Sequence, residues 1–407
     1  MPDAGPFDYD VAVIGSGFGG STTALRLTEK GYRVAVFEAG RRFAPSDYPT
    51  SSWRLRRFLF MPRLGLRGIQ RLTLLKDVLV LSGAGVGGGS LVYANTLYEP
   101  LDSFWSDAQW ADITDWRSEL APHYQQARLM LGATRAPDDT PSDDVMRQLA
   151  ERYDVADSYR PTDVAVYLGT PGEDVDDPYF GGEGPSRTGC LRCGACMVGC
   201  RHNAKNTLDR NYLYLAERNG AEVLAGRQVV DVVPLEGGGY EIVSERSGAW
   251  VRKQRETVRA EQVVFSAGVL GTMRLLASLV ERGRLPKVSG RLGVRVRTNS
   301  EAILGAQTIG EVTQDFSEGL AITSSIHPDA RTHIEPVRYP KRSNAMGLLS
   351  TVLVDGGGPM PRPVRFVAQV LRHPVAFVRS LSVRRWSERS LILLVMQSHD
   401  NSLRVRW

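Results

Sequence analysis

The chain has 407 residues, 42% hydrophobic and 23% charged, with a formal net charge of +5. That length holds two or three domains and a sizeable core, and the composition is that of a globular protein. No run reaches the roughly 18 apolar residues of a membrane-spanning helix. The first residues lack the basic and apolar regions of a secretory signal, so a cytoplasmic location is expected.

In chain order, the first element is a short apolar run, Val11 to Ile14, which predicts a parallel strand buried on both faces. It stops at Gly15-Ser16-Gly17-Phe18-Gly19-Gly20, a G-x-G-x-x-G turn. Gly15 permits the turn, Gly17 lets backbone approach a diphosphate, and Gly20 lets helix and strand pack closely. The following helix aims its N-terminal N–H groups at the phosphates. A second strand, Arg33 to Phe37, ends in Glu38, about where a ribose-binding acid belongs. The pattern predicts dinucleotide binding, with FAD or NAD favoured over NADP, and does not separate the first two. From Trp53 to Leu72 come six arginines and no acid, read as a solvated segment or as a lid at a lipid surface. Then Gly83, Gly85, Gly87, Gly88 and Gly89 fall within seven positions. Such density predicts close approach of backbone to a flat or phosphorylated ligand.

Together with Val86-Gly-Gly-Gly-Ser90 and the later run Val263 to Leu276, VVFSAGVLGTMRLL, this N-terminal motif resembles the glucose–methanol–choline (GMC) family of FAD oxidoreductases. The resemblance is greatest to the cholesterol oxidase-like branch. It implies an α/β fold: a discontinuous Rossmann-like FAD-binding domain, and an α+β substrate domain built on an antiparallel sheet. The implied parts are residues 8–100 and 220–305 for FAD, 101–219 as a substrate-side insertion carrying the cysteines, and 306–407 as an incomplete substrate sheet. The resemblance assigns Gly15, Gly17, Phe18, Gly19, Gly20, Glu38, Gly87, Gly88, Gly89, Ser90, Val230, Ala267 and Gly268 to FAD. Val230 is the position whose backbone touches adenine. Ala84 stands where many members carry a basic residue, and Tyr93-Ala94 where many carry Asn-Gly.

Residues 100–157 read as helical, with Trp105, Trp110 and Trp116 as core. Next come Cys190, Cys193, Cys196 and Cys200, spaced like half of a bacterial ferredoxin. Three readings stay open: a [4Fe–4S] cluster, reduced thiols packed in a loop, and zinc or a redox disulfide. From Glu301 short alternating runs predict strands: 302–309, 320–326, 332–337, 348–354, 391–397 and 402–407. Glu335 lies in one of them, and the family resemblance suggests for it a catalytic proton-accepting role in a sterol pocket. Residues 361–389 carry seven arginines and one glutamate at helix-like spacing with Val, Leu and Phe. They read as a surface amphipathic helix or a peripheral membrane contact.

The resemblance implies a sterol or other lipid alcohol as substrate and O2 or another carrier as electron acceptor; no nucleic-acid partner is expected. None of the six histidines stands in a context like the family's C-terminal catalytic histidine. A truncated member with FAD affinity and little turnover is therefore expected. The competing expectations are an electron-transfer flavoprotein using the cysteines, and a non-catalytic FAD-binding remnant.

Overall fold

The structure is a computed structural model that describes residues 6–76, 78–137, 139–308, 310–311, 313–355, 359–399 and 402–406. Strand β1 (Tyr9–Ile14), helix α1 (Phe18–Thr28) and strand β2 (Val34–Glu38) form the first unit. Strands β3 (Gln70–Leu74) and β4 (Leu79–Gly83) pair as an antiparallel hairpin. Helices α2 (Trp116–Met130) and α3 (Pro141–Arg152) and a short strand β5 (Arg160–Pro161) follow. Helix α4 (Tyr212–Arg218) leads into β6 (Glu222–Ala225), β7 (Arg227–Pro234), β8 (Tyr240–Arg246), β9 (Glu256–Phe265) and helix α5 (Gly268–Glu281). The last part supplies β10 (Ala302–Gln307), β11 (Ser324–Asp329), β12 (Thr332–Val337), helices α6 (Arg362–Arg372) and α7 (Pro374–Ser380), and β13 (Ser390–Gln397).

One sheet has the order β6-β2-β1-β9-β8-β7. Its β6, β2, β1 and β9 run parallel, and β9, β8 and β7 form an antiparallel meander, so its orientation is mixed. Strands from residues 8–100 and from residues 220–305 thus share one sheet. The unbroken apolar run of β1 follows from burial on both faces. Val11 and Val13 pack with Ala24, Leu25 and Tyr212 from α1 and α4. Ala12 and Ile14 face the other way, onto Val232, Ile242 and Leu279.

The second sheet is antiparallel throughout, in the order β10-β13-β12-β11-β5. It begins at Ala302, before residue 306, and borrows β5 from the segment that carries the cysteines. A buried polar knot ties α3 to it: Asp143 accepts from Thr323 Oγ1 and Ser324 Oγ, both at 2.6 Å. Arg338 donates to Thr140 Oγ1 at 2.9 Å and to the Glu318 carbonyl at 2.7 Å.

Two expected strands are absent among the described residues. Residues 345–349 form a 3-10 turn, and 350–354 run without a strand partner. Residues 402–406 make only the bridge between Leu403 and Val296. Position 309, in the expected run 302–309, and position 407 lie outside the described residues. Trp105, Trp110 and Trp116 are half-buried, not core: Phe104 contacts Trp105 and Trp110, and Arg117 lies over Trp105.

Candidate functional site

The three glycine turns meet at the carboxyl ends of β1, β2 and β9. Gly15 has φ +107°, and a Cβ there would lie 2.3 Å from the Ser266 carbonyl oxygen and 2.7 Å from Ala267 Cα. A Cβ on Gly88 would lie 2.7 Å from Gly17 Cα, and one on Gly20 would be 1.9 Å from the Gly15 carbonyl oxygen. Backbone touches backbone at each point, which is why these positions lack side chains.

Glu38 binds the turns together. It is 8% exposed. One oxygen accepts from Ser16 Oγ at 2.7 Å and Ser16 N at 3.3 Å; the other accepts from Gly40 N at 2.7 Å and Gly85 N at 3.3 Å. Ser16 Oγ in turn accepts from Gly87 N at 3.2 Å. The carboxylate expected to meet a ribose therefore also fastens the second glycine turn to the first. Ser16 was not singled out from the sequence, although it occupies a variable position inside the motif, and Gly85 was read only as one of the clustered glycines, not as a partner of Glu38.

Beside the turns opens a cleft of about 3800 Å³, several times an ordinary ligand pocket of roughly 300–1,000 Å³. Gly15, Gly17, Phe18, Gly19, Glu38, Gly88, Gly89, Val230, Ala267 and Gly268 line it. Gly20, Gly87 and Ser90 do not; they sit behind the wall. Ser90 Oγ donates to the Gly87 carbonyl at 2.7 Å and accepts from Leu208 N at 3.0 Å, so it shapes the turn. Val230 lies at a register shift in β7, and its carbonyl accepts from Arg282 at 2.7 Å.

These residues fit FAD. A Cβ on Gly17 would meet nothing within 4 Å, so Gly17 is open toward the cleft. Phe18 and Gly19, the first residues of α1, line the same space with the helix's positive end. The far wall is apolar: Val337, Ile392 and Leu394 of the second sheet, and Tyr339 just beyond β12, line the cleft.

Glu335 does not line the cleft. It is 4% exposed on β12, two residues from Val337, which does. Residues two apart on a strand share a face. Burial, and then the charge of Glu301, pushes the Glu335 carboxyl up to about 8. Glu301, missed in the sequence, lines the cleft, and burial raises its carboxyl too. His333 Nε2 stands 3.5 Å from Glu335 Oε1, and burial holds its imidazole down at about 3, with His327 and Arg160 adding to the effect. At neutral pH Glu335 is largely protonated beside a neutral imidazole. No histidine lines the cleft among the described residues.

Among the described residues, no group of three or more His, Cys, Asp or Glu side chains is placed to hold a metal ion. All four cysteines are free. Cys190 and Cys200 pack with Val164, Val166 and Ala204. Burial pushes the thiols of Cys190 and Cys196 up to about 11 and 12. Cys190, Cys193, Cys196 and Cys200 therefore form no disulfide, and among the described residues they are not drawn together into one metal-binding group.

Two family models match the chain: one described as FAD dependent oxidoreductase at residues 10–59, and one described as GMC oxidoreductase at residues 186–283. The chain is 54% identical over 406 residues to a cholesterol oxidase of Mycobacterium tuberculosis (strain ATCC 25618 / H37Rv), a match covering 97% of this chain and 70% of that protein. It is 44% identical over 409 residues to a cholesterol oxidase of Acinetobacter baumannii, covering 98% and 73%. Among solved structures, pyridoxine 4-oxidase from Mesorbium loti aligns with a TM-score of 0.51 at 15% identity, over 97% of this chain and 73% of that one. That last likeness bears on the fold alone.

Proposed function

The chain belongs to the GMC family of FAD-dependent oxidoreductases, and on that premise we propose that it oxidises the secondary hydroxyl of a sterol, with O2 as electron acceptor. The observation that carries this reading is the convergence of three glycine turns on a cleft whose opposite wall is an apolar sheet. When bound, FAD supplies the hydride acceptor. The chain supplies the rest. Gly17 and the start of α1 receive the diphosphate, Glu38 keeps the turns in register, and Val230 borders the adenine end. Val337, Tyr339, Ile392 and Leu394 offer a flat apolar surface to fused rings. Glu301 lines the cleft and Glu335 lies buried behind the same wall, within electrostatic reach of it; we assign proton exchange with the sterol to this pair, Glu301 on the cleft side and Glu335 as the proton-loaded reserve. A neutral carboxyl with a value near 8 can give or take a proton without leaving the working pH range.

The test is a spectral titration. FAD-loaded protein, titrated anaerobically with cholesterol in detergent, is expected to show a saturable change in the visible flavin bands. Flavin bands that stay unchanged in a folded, FAD-loaded sample would overturn the sterol reading.

We also propose a peripheral contact between α6–α7 and a lipid surface. Val364, Val367 and Leu371 recur at helical spacing and are exposed, Leu371 at 75%. Val375 and Val378 continue the apolar stripe on α7. Arg362, Arg372 and Arg379 flank it. Phe366 and Val367 also line the cleft, so the stripe lies at its rim. An apolar stripe edged by arginine is the pattern of a helix lying in an anionic interface. No helix among the described residues is long and apolar enough to cross a membrane.

A further inference from the structure

Lys205 is the buried titratable group that the sterol chemistry leaves unexplained. It is 2% exposed, and lysine is almost never fully buried unless paired. Its partners are carbonyls: Nζ donates to Tyr93 O at 2.7 Å, Cys196 O at 3.0 Å and Leu91 O at 3.2 Å. Three ammonium protons meet three acceptors. The ammonium also lies 4.5 Å from the centre of the Tyr93 ring. These bonds satisfy its donors and leave its charge uncancelled. Burial accordingly pulls it down to about 8, against the partial support of Cys196, Cys200 and Asp209.

The carbonyls it holds locate its effect. Leu91 and Tyr93 follow directly on Gly87–Ser90, and Val92, Tyr93 and Ala94 line the cleft. Tyr93 stands edge-on to Phe18 at 5.9 Å, at the start of α1. Val92 and Ala94 pack with Val337 and Ile392 of the apolar sheet and with Tyr339 just beyond β12. This wall therefore borders the cleft between the diphosphate end and the substrate floor. A dinucleotide whose phosphates meet α1 and whose adenine meets Val230 would carry its isoalloxazine along this wall.

We propose that Lys205 is a positioning residue for the flavin: it fixes the Leu91–Tyr93 wall and, through its unpaired charge, favours the electron-rich reduced ring. The proposal rests on the FAD reading. A buried cation acts through a medium of low dielectric, so its pull on a ring that gains electrons is stronger than in water. The same residue joins the cysteine loop to the flavin wall through the Cys196 carbonyl.

The experiment compares Lys205→Gln and Lys205→Arg with the parent. Each is loaded with FAD; affinity is read by fluorescence quenching and midpoint potential by equilibration with a reference dye. Glutamine keeps N–H donors for the carbonyls and removes the charge; arginine keeps the charge. Lys205→Gln is expected to disfavour reduction at least tenfold, a fall of about 30 mV for a two-electron couple. Lys205→Arg should recover most of that fall even where its stability or affinity is lower. Equal potentials in the parent and a folded, FAD-loaded Lys205→Gln would overturn the proposal while leaving the FAD reading intact. A folded parent that takes up no FAD would sink both.

Discussion

At Glu38, one carboxylate accepts from Ser16, Gly40 and Gly85, and its removal leaves the buried N–H groups of all three without that partner. Glu38→Ala is expected to lower the stability of the FAD-free protein by roughly 1–3 kcal/mol, read by urea denaturation; a residue whose only task is to meet a ribose would leave that stability unchanged. Glu335 makes a pH-dependent contribution whose sign follows from its environment. Its folded carboxyl sits at about 8 against an ordinary 4.5. The unfolded chain therefore ionises first, and stability that is full below 4.5 declines as pH rises through 8. His333 acts at the other end: held at about 3, it favours the fold above pH 6.5 and loses that contribution as pH falls toward 3. Glu335→Gln should erase the decline between 4.5 and 8, a gain over the parent of up to roughly 5 kcal/mol above pH 8. Melting curves across pH check this. A parent and variant that lose stability in parallel over that window would show that Glu335 ionises without penalty.

The glycine turns separate two kinds of constraint. Gly15→Ala forces a Cβ onto the Ser266 carbonyl in a left-handed conformation, so loss of folding is expected. Gly17→Ala points its methyl into open cleft; it should change stability by no more than about 1 kcal/mol yet weaken FAD binding at least tenfold. Circular dichroism melts alongside FAD titrations test the pair, and undiminished FAD affinity in Gly17→Ala would contradict the cradle. Much of this element was legible in the sequence because glycine marks places where backbone meets backbone, and β1 reads as doubly buried. What was not legible depends on distant partners. Ser16 gains its role only when Glu38 and Gly87 arrive. Lys205 sits in a run whose pattern says nothing of the three carbonyls around it. Residues 348–354 alternate like a strand, but among the described residues they pair with none, and alternation without a partner does not make a ladder. The tryptophans read as core because large apolar rings are usually buried, whereas here they cluster with Phe104 at a half-open corner.

Over the whole molecule, two sheets enclose one cleft. The mixed sheet brings its glycine turns to one side, the antiparallel sheet forms the other, and α6–α7 lies at the rim. The rim carries the membrane proposal. The parent is expected to co-sediment with vesicles containing anionic lipid, with less bound at high salt, and the double variant Val367→Glu, Leu371→Glu should reduce binding about tenfold or more. Equal sedimentation by parent and double variant would place any lipid contact elsewhere. Whether the space between the sheets holds FAD is measured most directly by an equilibrium titration of the folded, FAD-free chain with FAD. The prediction is saturation at one FAD per chain, with quenched flavin fluorescence and a yellow protein. A folded sample that remains colourless in excess FAD would contradict it.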